Sequence, residues 1–230
     1  MEAIVLAGGF GTRLKSVVAD VPKPMAPVAG RPFLEILLTV MASKGFTRVV
    51  LSLGYLADTI VNHFGDRFAG MELVYEIEDT PLGTGGAVRQ ASEHCSADHV
   101  FVFNGDTYLD LEVKEVEALW QRNRTPVIVA RAVPDTSRYG RLSLDGEKVI
   151  GFAEKGAAGP GLINAGCYVL RADALAAFTP GQPFSLENDF LADAVLADPF
   201  DVFVIKGHFI DIGVPEDYAR AQDELKHVCQ

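Results

Sequence analysis

Four short and nearly unbroken apolar runs, each followed by a turn or an amphipathic stretch, constrain this chain more than any other feature. They are Ala3–Leu6, Val49–Leu53, Leu73–Ile77 and Val100–Phe103. A strand that is apolar on both faces must be covered on both faces, which is the habit of parallel strands joined by crossover helices. The segments between them supply such helices. Phe33, Leu34, Leu37, Leu38 and Met41 recur at helical spacing, with Pro32 at the opening and Gly45 as a stop. Leu56–Phe64 predicts a second helix, and a third begins after the glycines of Leu82–Ala87. Right-handed crossovers then build a doubly wound, Rossmann-like α/β layer structure with a mostly parallel sheet.

After about Pro126 the rhythm changes. Val127–Val133, Arg141–Leu144, Val149–Glu154 and Ile163–Leu170 are strand-like and separated by short turns such as Asp145-Gly146, which predicts antiparallel pairing. A helix over Leu186–Leu196, a strand over Val202–Ile205 and a helix after Pro215 complete the pattern. Trp120, on a helix over Val113–Trp120, reads as core packing. With 230 residues and no linker or repeat, the expectation is one domain, with residues 1–125 forming one part and 126–230 an antiparallel second lobe.

Charge narrows the partners. A formal net charge of −11 argues against the broad basic face that nucleic-acid backbones require, although a few local cations can still hold a small anionic substrate. The apolar run at the N-terminus is too short for a leader, and no later stretch reaches the length of a membrane span. Cys95, Cys167 and Cys229 lie far apart without metal-site spacing and read as reduced thiols. These features predict a soluble cytoplasmic protein that engages neither nucleic acid nor membrane. The five histidines show no ligand spacing, and no Ser/His/Asp or Cys/His order suggests a nucleophile.

Chemistry gathers at two motifs near the start. Leu6-Ala7-Gly8-Gly9-Phe10-Gly11-Thr12-Arg13-Leu14 follows the first apolar run directly. Its glycines allow backbone N–H groups to close on a phosphate, and an arginine behind them can hold two oxygens at once. It is neither a Walker A loop nor a complete GxGxxG, and a strand-ending turn is the plain alternative. Further on, Pro22-Lys23-Pro24 stiffens the backbone around a lysine and biases Lys23 towards an extended conformation.

These two motifs together resemble the sugar-nucleotide pyrophosphorylases, the sugar 1-phosphate nucleotidyltransferase family. Later landmarks follow in the family's order over essentially the whole chain: Leu82-Gly83-Thr84-Gly85-Gly86-Ala87, Asn104-Gly105-Asp106, Glu154-Lys155, Asn164-Ala165-Gly166 and Ile210-Asp211-Ile212-Gly213. The resemblance implies that a sugar 1-phosphate oxygen attacks the α-phosphorus of a nucleoside triphosphate and pyrophosphate departs. It implies a nucleotide site made of Leu6, Ala7, Gly8, Gly9, Gly11, Thr12, Arg13, Leu82, Gly83, Thr84, Gly105 and Asp106. Arg13 on the leaving pyrophosphate and Lys23 at the α-phosphate would be the catalytic pair. Asp106 and Asp211 would hold Mg²⁺. Glu154, Lys155, Asn164, Gly166 and Glu187 would take the sugar phosphate.

Each assignment has a plainer alternative. An aspartate after a strand often caps a helix or forms a turn, a Glu-Lys pair is usually solvated, and Ser185 to Asn188 also reads as a helix start. Asp211, flanked by Ile210 and Ile212, needs a partner or a metal.

Within the family, the stretch from Leu14 through Pro22-Lys23-Pro24 to Val28, the segment Thr80–Ala87 and Ser185-Leu186-Glu187-Asn188-Asp189-Phe190 are similar to the D-glycero-α-D-manno-heptose 1-phosphate guanylyltransferases. That subgroup implies GTP and a heptose 1-phosphate as substrates, and GDP-heptose for bacterial surface polysaccharide or capsule as product. Uridylyltransferases of N-acetylmuramic acid 1-phosphate and guanylyltransferases of mannose 1-phosphate are the neighbouring expectations. A glycosyltransferase would show a DxD motif, whereas Asp106 is followed by Thr107-Tyr108-Leu109-Asp110. A catalytically silent regulatory subunit would be expected to have lost Arg13, Lys23 or an aspartate, and all are present. The chain ends at Gln230 without the hexapeptide-repeat domain of larger members, so a single activity is expected. A homo-oligomer is compatible with the composition, which does not reveal symmetry.

Overall fold

The computed structural model describes residues 1–9, 14, 18, 21–153 and 158–228. In chain order the strands and helices are β1 (Glu2–Leu6), β2 (Pro27–Val28), β3 (Arg31–Pro32), α1 (Phe33–Ser43), β4 (Arg48–Leu53), α2 (Ala57–Phe64), β5 (Arg67–Phe68) and β6 (Met71–Ile77). Then come α3 (Gly83–Ala91), β7 (His99–Asn104), β8 (Thr107–Leu109), α4 (Val113–Asn123), β9 (Val127–Val133), β10 (Arg141–Asp145) and β11 (Lys148–Ala153). The chain continues through β12 (Gly161–Arg171), α5 (Ala192–Ala197), β13 (Phe200–Val204), β14 (Phe209–Asp211) and α6 (Pro215–Glu224).

Among the described residues, ten strands form one sheet in the order β10-β11-β13-β9-β12-β7-β1-β4-β6-β5. The four apolar runs are its parallel part, with β1 between β4 and β7 and β6 beyond β4. Alternate residues of each strand enter different cores. Ala3 and Val5 of β1, with Phe101 and Phe103 of β7, pack among Leu34, Leu38, Ile60, Val116 and Trp120 from α1, α2 and α4. Ile4, Val100 and Val102 face the opposite side, against Val88 and Ala91 of α3 and Val195 of α5. Burial on both faces is why these strands carry no polar face.

The later strands continue the same sheet. β12 pairs antiparallel with both β7 and β9, and β10 with β11, as the short turns imply. One pairing differs: β13 runs parallel to β9, because the chain travels around α5 before it re-enters beside β9. Two local expectations also shift. The segment read as one helix over Leu186–Leu196 is a π-helical turn, Leu186–Leu191, followed by α5. Helix α3 starts within the glycines rather than after them, at Gly83, whose φ is +68°. A Cβ at Gly83 would stand 2.6 Å from the Phe184 carbonyl oxygen, so the close approach of the Phe184 backbone requires a residue without one.

A third apolar cluster joins Phe33 and Ile36 of α1 to Ile210 of β14 and Tyr218 and Ala221 of α6. It anchors the small β8–β14 ribbon against the main body. No helix among the described residues is long and apolar enough to cross a membrane. Cys95 and Cys167 are free thiols; burial pushes Cys95 up to about 11 and Cys167 well above the ordinary thiol range, while Cys229 lies outside the described residues.

Candidate functional site

At the carboxyl ends of β1 and β7 the two strands are followed by glycines, and this is the edge where open α/β sheets bind ligands. After β1 the chain runs on through Ala7, whose N–H donates to the Ser52 carbonyl at 2.8 Å, to Gly8 and Gly9. After β7, the Gly105 N–H donates to the Leu6 carbonyl at 2.9 Å, and a Cβ on Gly105 would come within 2.6 Å of that oxygen. The two turns are therefore seated on one another. They open onto a cleft of about 290 Å³. Leu6, Ala7, Gly8, Gly9, Gly105 and Asp106 line it, together with Lys23 and Pro24 and with Gly83 and Thr84 at the start of α3.

Lys23 reaches this cleft from a 3₁₀ turn, Lys23–Met25, and not from the extended backbone that the following proline favours. Burial of Pro24 and Met25 draws the chain inward, and the turn closes through Met25 N–H to the Pro22 carbonyl at 2.7 Å. Tertiary packing outweighs the local preference here. The Lys23 side chain is 10% exposed, and its Nζ donates to Asp106 Oδ2 at 2.5 Å.

Asp106 and Asp211 are brought together by strand register. Asp106 sits in the turn between β7 and β8; β8 pairs antiparallel with β14, where Thr107 faces Asp211, and the Ile212 N–H donates to the Asp106 carbonyl at 2.9 Å. Asp211 Oδ1 accepts the Gly213 N–H at 2.6 Å. Burial, and then the Asp106 carboxylate, push the Asp211 carboxyl above its ordinary range, with Lys23 and the Gly213 N–H acting in the opposite sense.

A carboxylate whose ionisation is disfavoured by burial and by a second carboxylate beside it suits a hard divalent cation with oxygen preference. Among the described residues no group of three or more His, Cys, Asp or Glu is assembled as a metal cage. The chain thus offers a partial set of oxygen donors. That fits Mg²⁺, which keeps waters and shares phosphate oxygens more readily than it enters an all-protein site.

The remaining sequence-derived residues fall into three groups. Leu82 is buried, and its N–H donates to Glu78 Oε2 at 2.9 Å. Asn164 and Gly166 lie in β12, beside β7, and Glu187 in the π-helical turn: Asn164 Nδ2 donates to the Tyr168 hydroxyl at 2.6 Å, and a Cβ on Gly166 would meet the Asn104 amide, which itself lines the cleft. Glu187 accepts from Thr84 Oγ1 at 2.8 Å, and the Ser185 hydroxyl accepts the Asn188 N–H as a helix cap. Gly11, Thr12, Arg13, Glu154 and Lys155 lie outside the described residues.

Sequence reasoning passed over Glu78 and Ser52. Both line the cleft, and Ser52 Oγ donates to Glu78 Oε1 at 3.1 Å. The available signal was position, since each belongs to the carboxyl end of a parallel strand. Tyr168 was also passed over, because a tyrosine inside an apolar strand is indistinguishable by pattern from core packing.

Residues 2–227 match the family described as nucleotidyl transferase. The chain is 38% identical over 228 residues to a D-glycero-α-D-manno-heptose 1-phosphate guanylyltransferase of Aneurinibacillus thermoaerophilus, with 99% of each chain covered. It is 38% identical over 220 residues to the protein of the same name from Campylobacter jejuni subsp. jejuni, covering 95% of this chain and 97% of that one. The crystal structure of HddC from Yersinia pseudotuberculosis complexed with GMP-PN superposes with a TM-score of 0.85 at 39% identity, covering 98% of this chain and 99% of that one.

Proposed function

The chain belongs to the nucleotidyl transferase family, and from that membership we propose that it joins GTP to D-glycero-α-D-manno-heptose 1-phosphate, giving GDP-heptose and pyrophosphate. The observation that carries the proposal is the convergence of Lys23, Asp106 and Asp211 beside the Gly8–Gly9 turn, in a chain that matches guanylyltransferases along its full length.

In the proposed reaction a phosphate oxygen of the sugar 1-phosphate forms a bond to the α-phosphorus as the bond from that phosphorus to the bridging oxygen breaks. The electron pair leaves with pyrophosphate. The protein supplies no covalent nucleophile; it positions two anions and offsets their charge. Backbone N–H groups of the Gly8–Gly9 turn face the triphosphate, and Arg13 holds the departing pyrophosphate. Lys23 moves its ammonium from Asp106 to the α-phosphate as negative charge spreads over the equatorial oxygens. Asp106 and Asp211 would hold Mg²⁺, which when bound supplies Lewis-acid neutralisation of the phosphates. Gly83 and Thr84 would meet the nucleoside, and Glu154, Lys155, Asn164, Gly166 and Glu187 would take the sugar phosphate.

The product class fits surface-polysaccharide or capsule synthesis in the cytoplasm. A pyrophosphate-release assay over four nucleoside triphosphates and the 1-phosphates of heptose, mannose and N-acetylmuramic acid tests the reading. GTP with the heptose 1-phosphate is expected to give the highest kcat/KM; a preference for UTP, or for mannose 1-phosphate, would overturn it.

A further inference from the structure

Tyr168 lies in β12 with no exposed surface, and its hydroxyl sits midway along a chain of hydrogen bonds from β12 to the start of α3. Asn164 Nδ2 donates to Tyr168 Oη at 2.6 Å, and Tyr168 Oη donates to Glu187 Oε1 at 3.2 Å. The other carboxylate oxygen, Glu187 Oε2, accepts from Thr84 Oγ1 at 2.8 Å and from Ser185 Oγ at 3.3 Å. Thr84 Oγ1 in turn accepts the Leu186 N–H at 2.9 Å, and Asn164 Oδ1 accepts the Gly166 N–H at 3.0 Å.

The direction of this chain is set at both ends. A hydroxyl has one proton to give, and those of Thr84 and Tyr168 are both committed to the Glu187 carboxylate. The Gly166 N–H requires the oxygen of the Asn164 amide, which turns its nitrogen towards Tyr168. Reversing the Asn164 amide would set its oxygen against the buried Tyr168 hydroxyl and its nitrogen against the Gly166 N–H. Burial, and then the Glu187 carboxylate, hold the phenol well above its ordinary pKa, so it remains a donor.

One end of the chain lines the cleft and the other abuts its wall. Thr84 lines it from the first turn of α3. Asn164 and Gly166 occupy the irregular stretch where β12 shifts register against β9, between Asn164 and Tyr168, and Gly166 rests on Asn104 of the cleft wall. We propose that Tyr168 is a positioning residue for the sugar 1-phosphate: its hydroxyl ties Asn164 to Glu187, both on the sugar side, and through Glu187 to Thr84 on the nucleotide side. The two substrates then meet at one fixed separation. This inference rests on the transfer reaction proposed above.

Replacing Tyr168 with Phe keeps the ring and removes the hydroxyl. In steady-state assays, Tyr168→Phe raises KM for the sugar 1-phosphate about tenfold and changes KM for the nucleoside triphosphate by less than about twofold. Thr84→Val gives the same sugar-side rise although Thr84 stands on the nucleotide side, and the double variant is no worse than either single one. A purely structural role would instead lower the melting temperature and leave both KM values alone. Unchanged sugar KM in folded Tyr168→Phe overturns the proposal, as do penalties that simply add. Should Tyr168→Phe not fold, Thr84→Val decides: a rise on the sugar side supports the chain, and a rise confined to the triphosphate overturns it. A wild-type protein that releases no pyrophosphate with any substrate pair would remove both this inference and the reaction. An active wild type beside an unaltered Tyr168→Phe would remove this inference alone.

Discussion

Lys23 Nζ lies 2.5 Å from Asp106 Oδ2, so the lysine of the proline-flanked turn and the aspartate of the turn after β7 form one ion pair lining the cleft. The pair brings a cation next to two carboxylates whose ordinary repulsion would push them apart. It also defines where a substrate phosphate must arrive to take the lysine over.

Lys23→Ala is expected to lower kcat for pyrophosphate release by roughly 10²–10³, the usual cost of removing a preorganised charge from a developing anion. Lys23→Arg restores little of it, because a planar fork cannot occupy the site of a compact ammonium. Circular dichroism and thermal melts should show both variants folded. Wild-type turnover in Lys23→Ala would displace the reacting phosphorus from this cleft.

Asp211→Asn removes one of two carboxylates and leaves the β8–β14 pairing in place. The Mg²⁺ concentration for half-maximal rate is expected to rise by at least about tenfold, on the scale of losses seen when even an outer ligand contact is removed. Titration of Mg²⁺ at saturating substrates measures this, and an unchanged midpoint would exclude Asp211 from the metal's surroundings.

Much of the sheet was legible because its strands are apolar on both faces: Ile4 and Val5 point into different cores, and nothing but a double-covered strand accounts for that run. The pairing of β13 with β9 was not legible, since direction within a sheet depends on the path of the connecting chain rather than on the strand's own residues. The site shows the same division. Motif wording drew attention to Lys23, Asp106 and Asp211, whereas their convergence depends on the register of β8 against β14, which no local pattern encodes. Glu78 and Tyr168 escaped notice because their importance lies in partners distant in the chain, Ser52 for one and Glu187 for the other.

Gly105→Ala tests how the two turns are seated. Its Cβ would enter within 2.6 Å of the Leu6 carbonyl oxygen, so the ends of β1 and β7 must part. Overpacking of this kind costs about 1–3 kcal/mol, and for a chain of this size each kcal/mol lowers Tm by about 2–4 °C. Differential scanning calorimetry reads the shift, and kcat/KM should fall with it.

Glu2 carries a pH-dependent share of stability. Burial acts to raise its carboxyl, but the Ala97 and Ser96 N–H groups, the Ser96 hydroxyl and Arg48 outweigh it and hold the group below its usual value of 4.5. A depressed folded-state pKa stabilises above the unfolded value, and the gain disappears as pH falls through the folded one. Glu2→Gln should therefore cost about 1–3 kcal/mol near pH 7, and the gap to wild type should narrow steadily below about pH 4.5. Chemical denaturation across pH 3–7 follows it, and a gap that is independent of pH would contradict the assignment.

The most direct test of the central claim is a crystal structure with a non-hydrolysable GTP analogue and Mn²⁺, the metal located by its anomalous signal. The account predicts one manganese peak between the Asp106 and Asp211 carboxylates, the triphosphate along the Gly8–Gly9 turn, and Lys23 transferred from Asp106 to the α-phosphate. A triphosphate bound elsewhere, or a metal peak away from both aspartates, would contradict it.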